Sequence, residues 1–367
     1  MLNKLPDLIL ASVSWQLLSL CCIGRMAALI VGVIRRGAGA HRWEIATECG
    51  ALYSVASYST IVAYSVNAAM DATVNAPPLE DTWEGYRSPQ DIIRAGATAG
   101  DEPSPYLALI AVGLKPVPLL IMAAGLLCAL PARGGGSAAS CKSQRRYRCC
   151  VAGGLVYCAA GDLMLEIEHR YVGIPPTASQ YQKRWGVLRG LGAILCGRLL
   201  FAVAFATAAS TGGRTQPQGK ARWLDSFPRW NSVVVFAYCL GLILVLLQGH
   251  DVHPWIFTTA VVGCALAIGG MADSAWRWHA DSACGSGAEE SKSAAYLAAR
   301  GALALVASDS ILGYSRFVGT IHDVDVVIAL LGWSGCWSIW RSVRVRWGGN
   351  SDLLPTRTAG VVRDLNN

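Results

Sequence analysis

Charge is scarce in this chain: of its 367 residues only 15% are charged, against about 25% in soluble proteins. The shortage is concentrated in long runs that hold almost no charged side chain, and 53% of all residues are hydrophobic. A chain this poor in charge and this rich in apolar runs is not an ordinary soluble domain. The composition implies a polytopic membrane protein, an all-α bundle of about eight to nine spans. Other absences remove whole classes of chemistry. No Cys-x-x-Cys pair occurs among the 13 cysteines, so zinc and dithiol redox motifs are unsupported. The six histidines, at 41, 169, 250, 253, 279 and 322, all fall at the ends of the apolar runs or between them, which argues against an intramembrane zinc hydrolase. No Gly-x-Ser-x-Gly elbow is present, and Gly134–Gly136 lacks the Lys-Ser/Thr of a phosphate loop. No metal and no cofactor is expected.

Nine stretches are near the roughly 20 residues that a helix needs to cross a bilayer. They are Leu8–Ile34, Glu48–Met70, Tyr106–Leu130, Cys149–Glu166, Gly186–Ala209, Ser232–Gln248, Pro254–Met271, Ser293–Tyr314 and Val324–Trp340. The first carries Arg25, and a cleaved signal peptide is its rival reading; its apolar run is too long for one. The formal net charge of +7 comes from basic residues in short connectors, a topology signal rather than a nucleic-acid face, so no nucleic-acid partner is expected. Arg35, Arg36 and Arg42 follow the first span, and Arg133, Lys142, Arg145, Arg146 and Arg148 follow the third. Arg214, Lys220, Arg222 and Arg229 follow the fifth, and Arg341, Arg344 and Arg346 follow the ninth. The positive-inside rule then sets these connectors and the C-terminus in the cytosol. The connector with Arg170, Lys183 and Arg184 runs against the trend.

Tryptophans 185, 230, 255, 276, 278, 340 and 347 lie near span ends, as expected of an interfacial belt. The stretch Asp71–Pro105 is acidic and reads as a loop, with a short amphipathic piece near Asp91–Ala95. The domain plan is residues 1–103 as N-terminal helices and acidic loop, 104–345 as the transmembrane core, and 346–367 as a cytosolic tail.

Against this apolar background two aspartates stand out. Asp162 and Asp309 sit inside spans, where an ionised carboxylate costs roughly 3 kcal/mol on insertion scales and usually faces the bundle interior for a functional reason. With the orientation above, both lie roughly 8–10 Å below the outer surface, and Lys115 roughly 15 Å. The three therefore converge on one cavity toward the outer leaflet. Arg198, in the middle of the fifth span, is a partner for a carboxylate or a lipid phosphate, with a purely structural ion pair as the equal alternative. Glu166 shares the helical face of Asp162 one turn nearer the surface and reads as a solvated rim residue. Ser308 is expected to back-bond to its own helix. Tyr157 and Tyr314 could donate to a carboxylate or substrate, or serve as packing or belt residues.

At these residues the chain resembles the YhhN-like lysoplasmalogenase family, also called the transmembrane protein 86 family. The resemblance rests on Lys115-Pro116-Val117-Pro118, on Ala160-Gly161-Asp162-Leu163-Met164-Leu165, and on the block from Gly301-Ala302 through Ser308-Asp309 and Leu312 to Arg316-Phe317. Met271 and Ala275 also fit, and the order holds over Leu107–Trp340. Arg198 and Phe201 stand where the family usually shows a His and a Tyr, and the usual Gln of the last helix is not evident near Trp333–Trp340. The family typically has eight spans, so Leu8–Ile34 is an addition.

The resemblance implies an integral-membrane hydrolase that cleaves the vinyl ether of a lysoplasmalogen to a fatty aldehyde and a glycerophospho-base. Asp162 and Asp309 would be its acid/base pair, with Lys115, Arg198, Ser308 and Tyr157 binding substrate. It also implies a lysophospholipid substrate and an endomembrane location such as the endoplasmic reticulum; self-association is left open. The rival readings are a transporter or lipid-binding membrane protein that uses the same groups, and a family member that has lost catalysis.

Overall fold

The computed structural model describes residues 5–36, 42–75, 105–128, 138–170, 180–212, 230–248, 255–284, 289–318 and 324–347. Among them there is helix and turn but no strand. In chain order the helices are α1 (Leu5–Arg36), α2 (Arg42–Asn75), α3 (Pro105–Leu114), α4 (Val117–Cys128) and α5 (Ala138–Arg170). They continue with α6 (Gln180–Gly212), α7 (Trp230–Gln248), α8 (Trp255–Cys284), α9 (Glu289–Phe317) and α10 (Val324–Trp347). Seven segments of these helices are long and apolar enough to cross a membrane. The protein is thus an all-α, multi-pass membrane bundle.

Among the described residues every expected span is helical, but Glu48–Met70 is not one of the seven and Ser232–Val245 is a shorter apolar helix; two further differences concern where the helices run. Several helices outrun their apolar stretch: α5 starts at Ala138 and takes in the basic residues Lys142–Arg148, and α8 continues past Met271 to Cys284. A helix satisfies its own backbone hydrogen bonds, so it can leave the membrane without unwinding. The third span, by contrast, is broken at Lys115-Pro116. Pro116 and Pro118 have no amide hydrogen, so the carbonyls of Val112 and Leu114 lose their helical donors. The Lys115 amide closes α3 on the Ala111 carbonyl (3.2 Å), and the amides of Leu119 and Leu120 open α4 on the Pro116 carbonyl (3.1 and 3.2 Å). The Asp91–Ala95 piece, Gly134–Gly136, and residues 213–219 and 348–367 lie outside the described residues.

Glycine decides which helices touch backbone to backbone. Without a hydrophobic driving force between helices in lipid, close association depends on small residues at the crossing. On α5 and α6, a Cβ at Gly161 would lie 2.6 Å from Ile194 Cγ1 and 3.0 Å from the Gly190 carbonyl. A Cβ at Gly197 would lie 2.8 Å from Cys158 Sγ and 3.0 Å from the Gly154 carbonyl. The same holds for α9 and α10, where a Cβ at Gly301 would be 2.7 Å from the Gly335 carbonyl. Helix α8 packs on both α6 and α9 and joins the two pairs.

Helices α1 and α2 form a hairpin bonded by polar side chains: Ser12 Oγ donates to Asn67 Oδ1 (2.6 Å), and Ser19 Oγ meets Thr60 Oγ1 (2.9 Å). Trp15, Tyr58 and Trp333 form an edge-to-face chain, with centroids 5.5 and 5.6 Å apart, that ties this hairpin to α10.

Two of the expected belt tryptophans are instead core residues. Trp278 and Trp340 are both buried; Trp278 packs edge-on to Tyr147 and stacks on Phe205. Arg346 lies 4.9 Å over Trp278 and Arg344 lies 4.8 Å over Trp340. Because α8 and α10 extend as helices past their apolar runs, these rings close the end of the bundle rather than rim it.

Gly197→Leu should be destabilising by about 1–3 kcal/mol or more, since overpacking displaces a backbone in contact. Gly192→Leu, on the same helix with open space around its Cβ position, should be tolerated. Thermal unfolding of the two purified variants in detergent distinguishes them.

Candidate functional site

The glycine crossing of α5 and α6 aligns two charged residues, because each follows a contact glycine in sequence: Gly161-Asp162 on α5 and Gly197-Arg198 on α6. Arg198 is buried and reaches across to Asp309 on α9. Its Nε donates to Asp309 Oδ2 (2.7 Å) and its Nη2 to Oδ1 (2.9 Å), a bidentate fork. Its third donor, Nη1, points at Cys158 Sγ (3.2 Å), and the thiols of Cys158 and of Cys336 on α10 lie side by side, both buried and both free. Charged hydrogen bonds of this geometry are about twice as strong as neutral ones.

A second pair flanks the first. At the α3–α4 break, Lys115 donates from Nζ to Glu166 Oε2 at 2.7 Å. Glu166 is buried, only 4% exposed, so it is no solvated rim residue. Sequence depth alone put it at the surface; its place on the inward face of α5, in line with Cys158 and Asp162 at four-residue spacing, buries it instead. Lys115 therefore has a carboxylate partner the sequence did not assign to it, and that partner is neither of the two aspartates.

Asp162 lies between the two pairs. It is within electrostatic reach of Lys115, Arg198, Asp309 and Glu166. It is half-buried, and among the described residues no hydrogen bond or ion pair engages its carboxyl. The site is thus an open carboxyl between two closed ion pairs. Asp162, Asp309, Lys115 and Arg198 lie around one cluster, with Lys115 at the level of Glu166.

The other three candidates do not join them. Ser308 is buried, but its hydroxyl donates to the Ile328 carbonyl on α10 (3.0 Å), not to its own helix. The close α9–α10 crossing brings that carbonyl into reach. Tyr157 is 46% exposed on the outside of the bundle and Tyr314 is 41% exposed. Position 157 is one residue off the Cys158–Asp162–Glu166 stripe, which turns it away from the site. Sequence reasoning missed Cys158 and Cys336, which close the site below Arg198; the four-residue step from Cys158 to Asp162 is the signal that could have found the first. Phe201, where a Tyr was expected from the resemblance, is fully buried and stacks on Phe205.

The fold and the site define a class: a helical membrane protein with an intramembrane cluster of acidic and basic side chains held at the junction of five helices. The model of the YhhN family matches residues 110–343, well over half of the chain. The chain belongs to the YhhN family. The match takes in α4 to α9, Lys115 and every charged residue of the cluster, and leaves out α1 and α2. No curated protein and no solved structure matches the chain.

The two aspartates should respond differently to substitution. Asp309→Ala leaves a buried guanidinium without its anion and should destabilise the protein by about 3–5 kcal/mol. Asp162→Asn breaks no ion pair and should change stability by less than about 1 kcal/mol. Denaturant or thermal unfolding in a fixed detergent measures both.

Proposed function

We propose that this protein is an integral-membrane hydrolase that cleaves the vinyl ether of a lysoplasmalogen. The single observation that carries the reading is the contrast between the two aspartates: Asp309 is forked by Arg198, while Asp162 has no such partner and lies between two ion pairs. Membership of the YhhN family and the buried, membrane-embedded position support it.

An enol ether is cleaved through protonation of its β-carbon, which converts the double bond to an oxocarbenium ion. Water then adds to the cationic carbon, and the hemiacetal collapses to a fatty aldehyde and the glycerophospho-alcohol. The reaction needs a carboxyl that can hold and deliver a proton and a fixed negative charge near the cation. Two carboxyl groups in unlike environments divide such tasks, as they do in glycosidases that act through an oxocarbenium-like state.

In the proposed mechanism Asp162 is the acid that protonates carbon. Asp309, held in the Arg198 fork, faces the oxocarbenium. A carboxylate has about four lone-pair sites; the fork uses two, so Asp309 can also orient the attacking water. Lys115 has three N–H donors, of which one is spent on Glu166. The others are available to the substrate phosphate. Ser308 holds α9 against α10 rather than touching substrate, and Tyr157 takes no part. The same reading puts the protein in an endomembrane such as the endoplasmic reticulum, where its lysophospholipid substrate enters from the bilayer.

Purified protein in detergent should release aldehyde from a lysoplasmalogen, and Asp162→Asn should lower the rate about 10²–10⁴-fold, the usual weight of a positioned general acid. Turnover in D2O should place one deuterium on the carbon next to the aldehyde. Undiminished turnover in Asp162→Asn removes it as the acid. Uptake of the lipid into proteoliposomes without hydrolysis makes the protein a transporter.

A further inference from the structure

The thiols of Cys158 and Cys336 are nucleophiles that vinyl-ether chemistry leaves unused. They come from helices far apart in sequence, α5 and α10, which touch in the bundle. The two lie side by side, both buried and both free. Glycine crossings set their places. Cys158 Sγ lies against α6, where a Cβ at Gly197 would be 2.8 Å from it. Cys336 follows Gly335, whose own Cβ position is 2.9 Å from the Gly301 carbonyl of α9. Neither helix can turn its sulfur away without disturbing a backbone contact.

A buried cysteine is ordinarily a small hydrophobe. Here two details give the pair a chemistry. The sulfurs meet across two helices, the arrangement a disulfide requires. Arg198 Nη1 is 3.2 Å from Cys158 Sγ, so negative charge that develops on this sulfur as it attacks an oxidant faces a cation. Cys158 is therefore the attacking thiol and Cys336 the resolving one. Both belong to the apolar core of the bundle, so the oxidant that reaches them must dissolve in the bilayer. Organic hydroperoxides are of that class.

We propose that Cys158 and Cys336 are a redox-modification site, which a bilayer-soluble hydroperoxide converts to a disulfide that links α5 to α10 and shuts down the site at Asp162. In the first step Cys158 Sγ attacks the outer hydroperoxide oxygen. The O–O bond breaks, the alkoxide leaves with the thiol proton as an alcohol, and Cys158 becomes a sulfenic acid. Cys336 Sγ then attacks that sulfur and expels hydroxide, which departs as water with the Cys336 proton. Two thiols and one hydroperoxide give one disulfide, one alcohol and one water, and the two electrons lost by sulfur reduce the O–O bond. A disulfide brings its sulfurs to about 2 Å, closer than any non-bonded contact, so α5 and α10 must shift. Asp162 is one turn beyond Cys158 on α5 and moves with it. The effect on turnover rests on the hydrolase reading, in which Asp162 is the acid; a misplacement of about 1 Å costs such a group about 10²-fold in rate.

The test treats purified full-length protein in detergent with tert-butyl hydroperoxide, alkylates the remaining thiols, and reads the Cys158 and Cys336 peptides by mass spectrometry. The expected result is a disulfide-linked pair of peptides that dithiothreitol separates. Vinyl-ether turnover should fall about 10²-fold on oxidation and return on reduction. In Cys336→Ala, Cys158 should instead accumulate as the sulfenic acid, trapped by dimedone, and Cys158→Ala should show neither product. Oxidation of the exposed Cys196 without a Cys158–Cys336 link overturns the proposal, and this reading of the wild-type protein needs neither variant to fold. A link that forms with turnover unchanged overturns the regulation. A link that forms in a protein with no vinyl-ether turnover at all upholds the thiol pair and removes the hydrolase reading instead.

Discussion

A guanidinium that cannot reach water needs an anion beside it, and the Arg198–Asp309 fork meets that need at the centre of this bundle. Burying two charges is costly, and only good geometry recovers the cost. The fork has that geometry because α6 and α9 are held at a fixed separation by α8, which packs on both. The glycine contacts of α5 with α6 and of α9 with α10 then bring Cys158, Asp162 and Cys336 up to the same guanidinium. Loss of the fork would leave α6 with an unpaired cation, and the helices around it would lose the reason for their present register.

The same constraint separates the roles of the acidic residues. Asp309 and Glu166 are each engaged by a basic side chain. Asp162, on the same face of α5 as Glu166, is left without one and yet stands in the field of both pairs. A carboxyl in that position can change protonation without breaking an ion pair, whereas either of its neighbours cannot. The arrangement is therefore suited to moving a proton at one atom while the surrounding charges stay fixed.

Much of this was legible in the sequence. The helices emerge from apolar length, although seven rather than nine of the expected stretches are long and apolar enough to span. Asp162, Asp309, Lys115 and Arg198 emerge from the cost of placing charge among apolar neighbours. What the sequence could not supply was rotation and partnership. Arg198 was equally compatible with a structural pair and with a lipid phosphate until its distance to Asp309 was known. Glu166 looked like a rim residue because span ends are uncertain by a turn, and a turn decides between solvent and core. Tyr157 is one position off the inward stripe, an angular difference that a depth count along the helix does not register. Ser308 was expected to bond within its own helix, but a glycine crossing brought a foreign carbonyl closer. The Lys115-Pro116 break carries its cause openly in two prolines, although hydropathy alone reads through it.

The most direct test of the account is an experimental structure of the protein with a saturated ether analogue of a lysoplasmalogen bound. The account predicts the carbon equivalent to the vinyl β-carbon within about 3.5 Å of the Asp162 carboxyl, a near-attack distance, with the phosphate at Lys115 and the Arg198–Asp309 fork intact. An analogue bound with its ether away from Asp162, or one that has broken the fork to pair with Arg198, would contradict it.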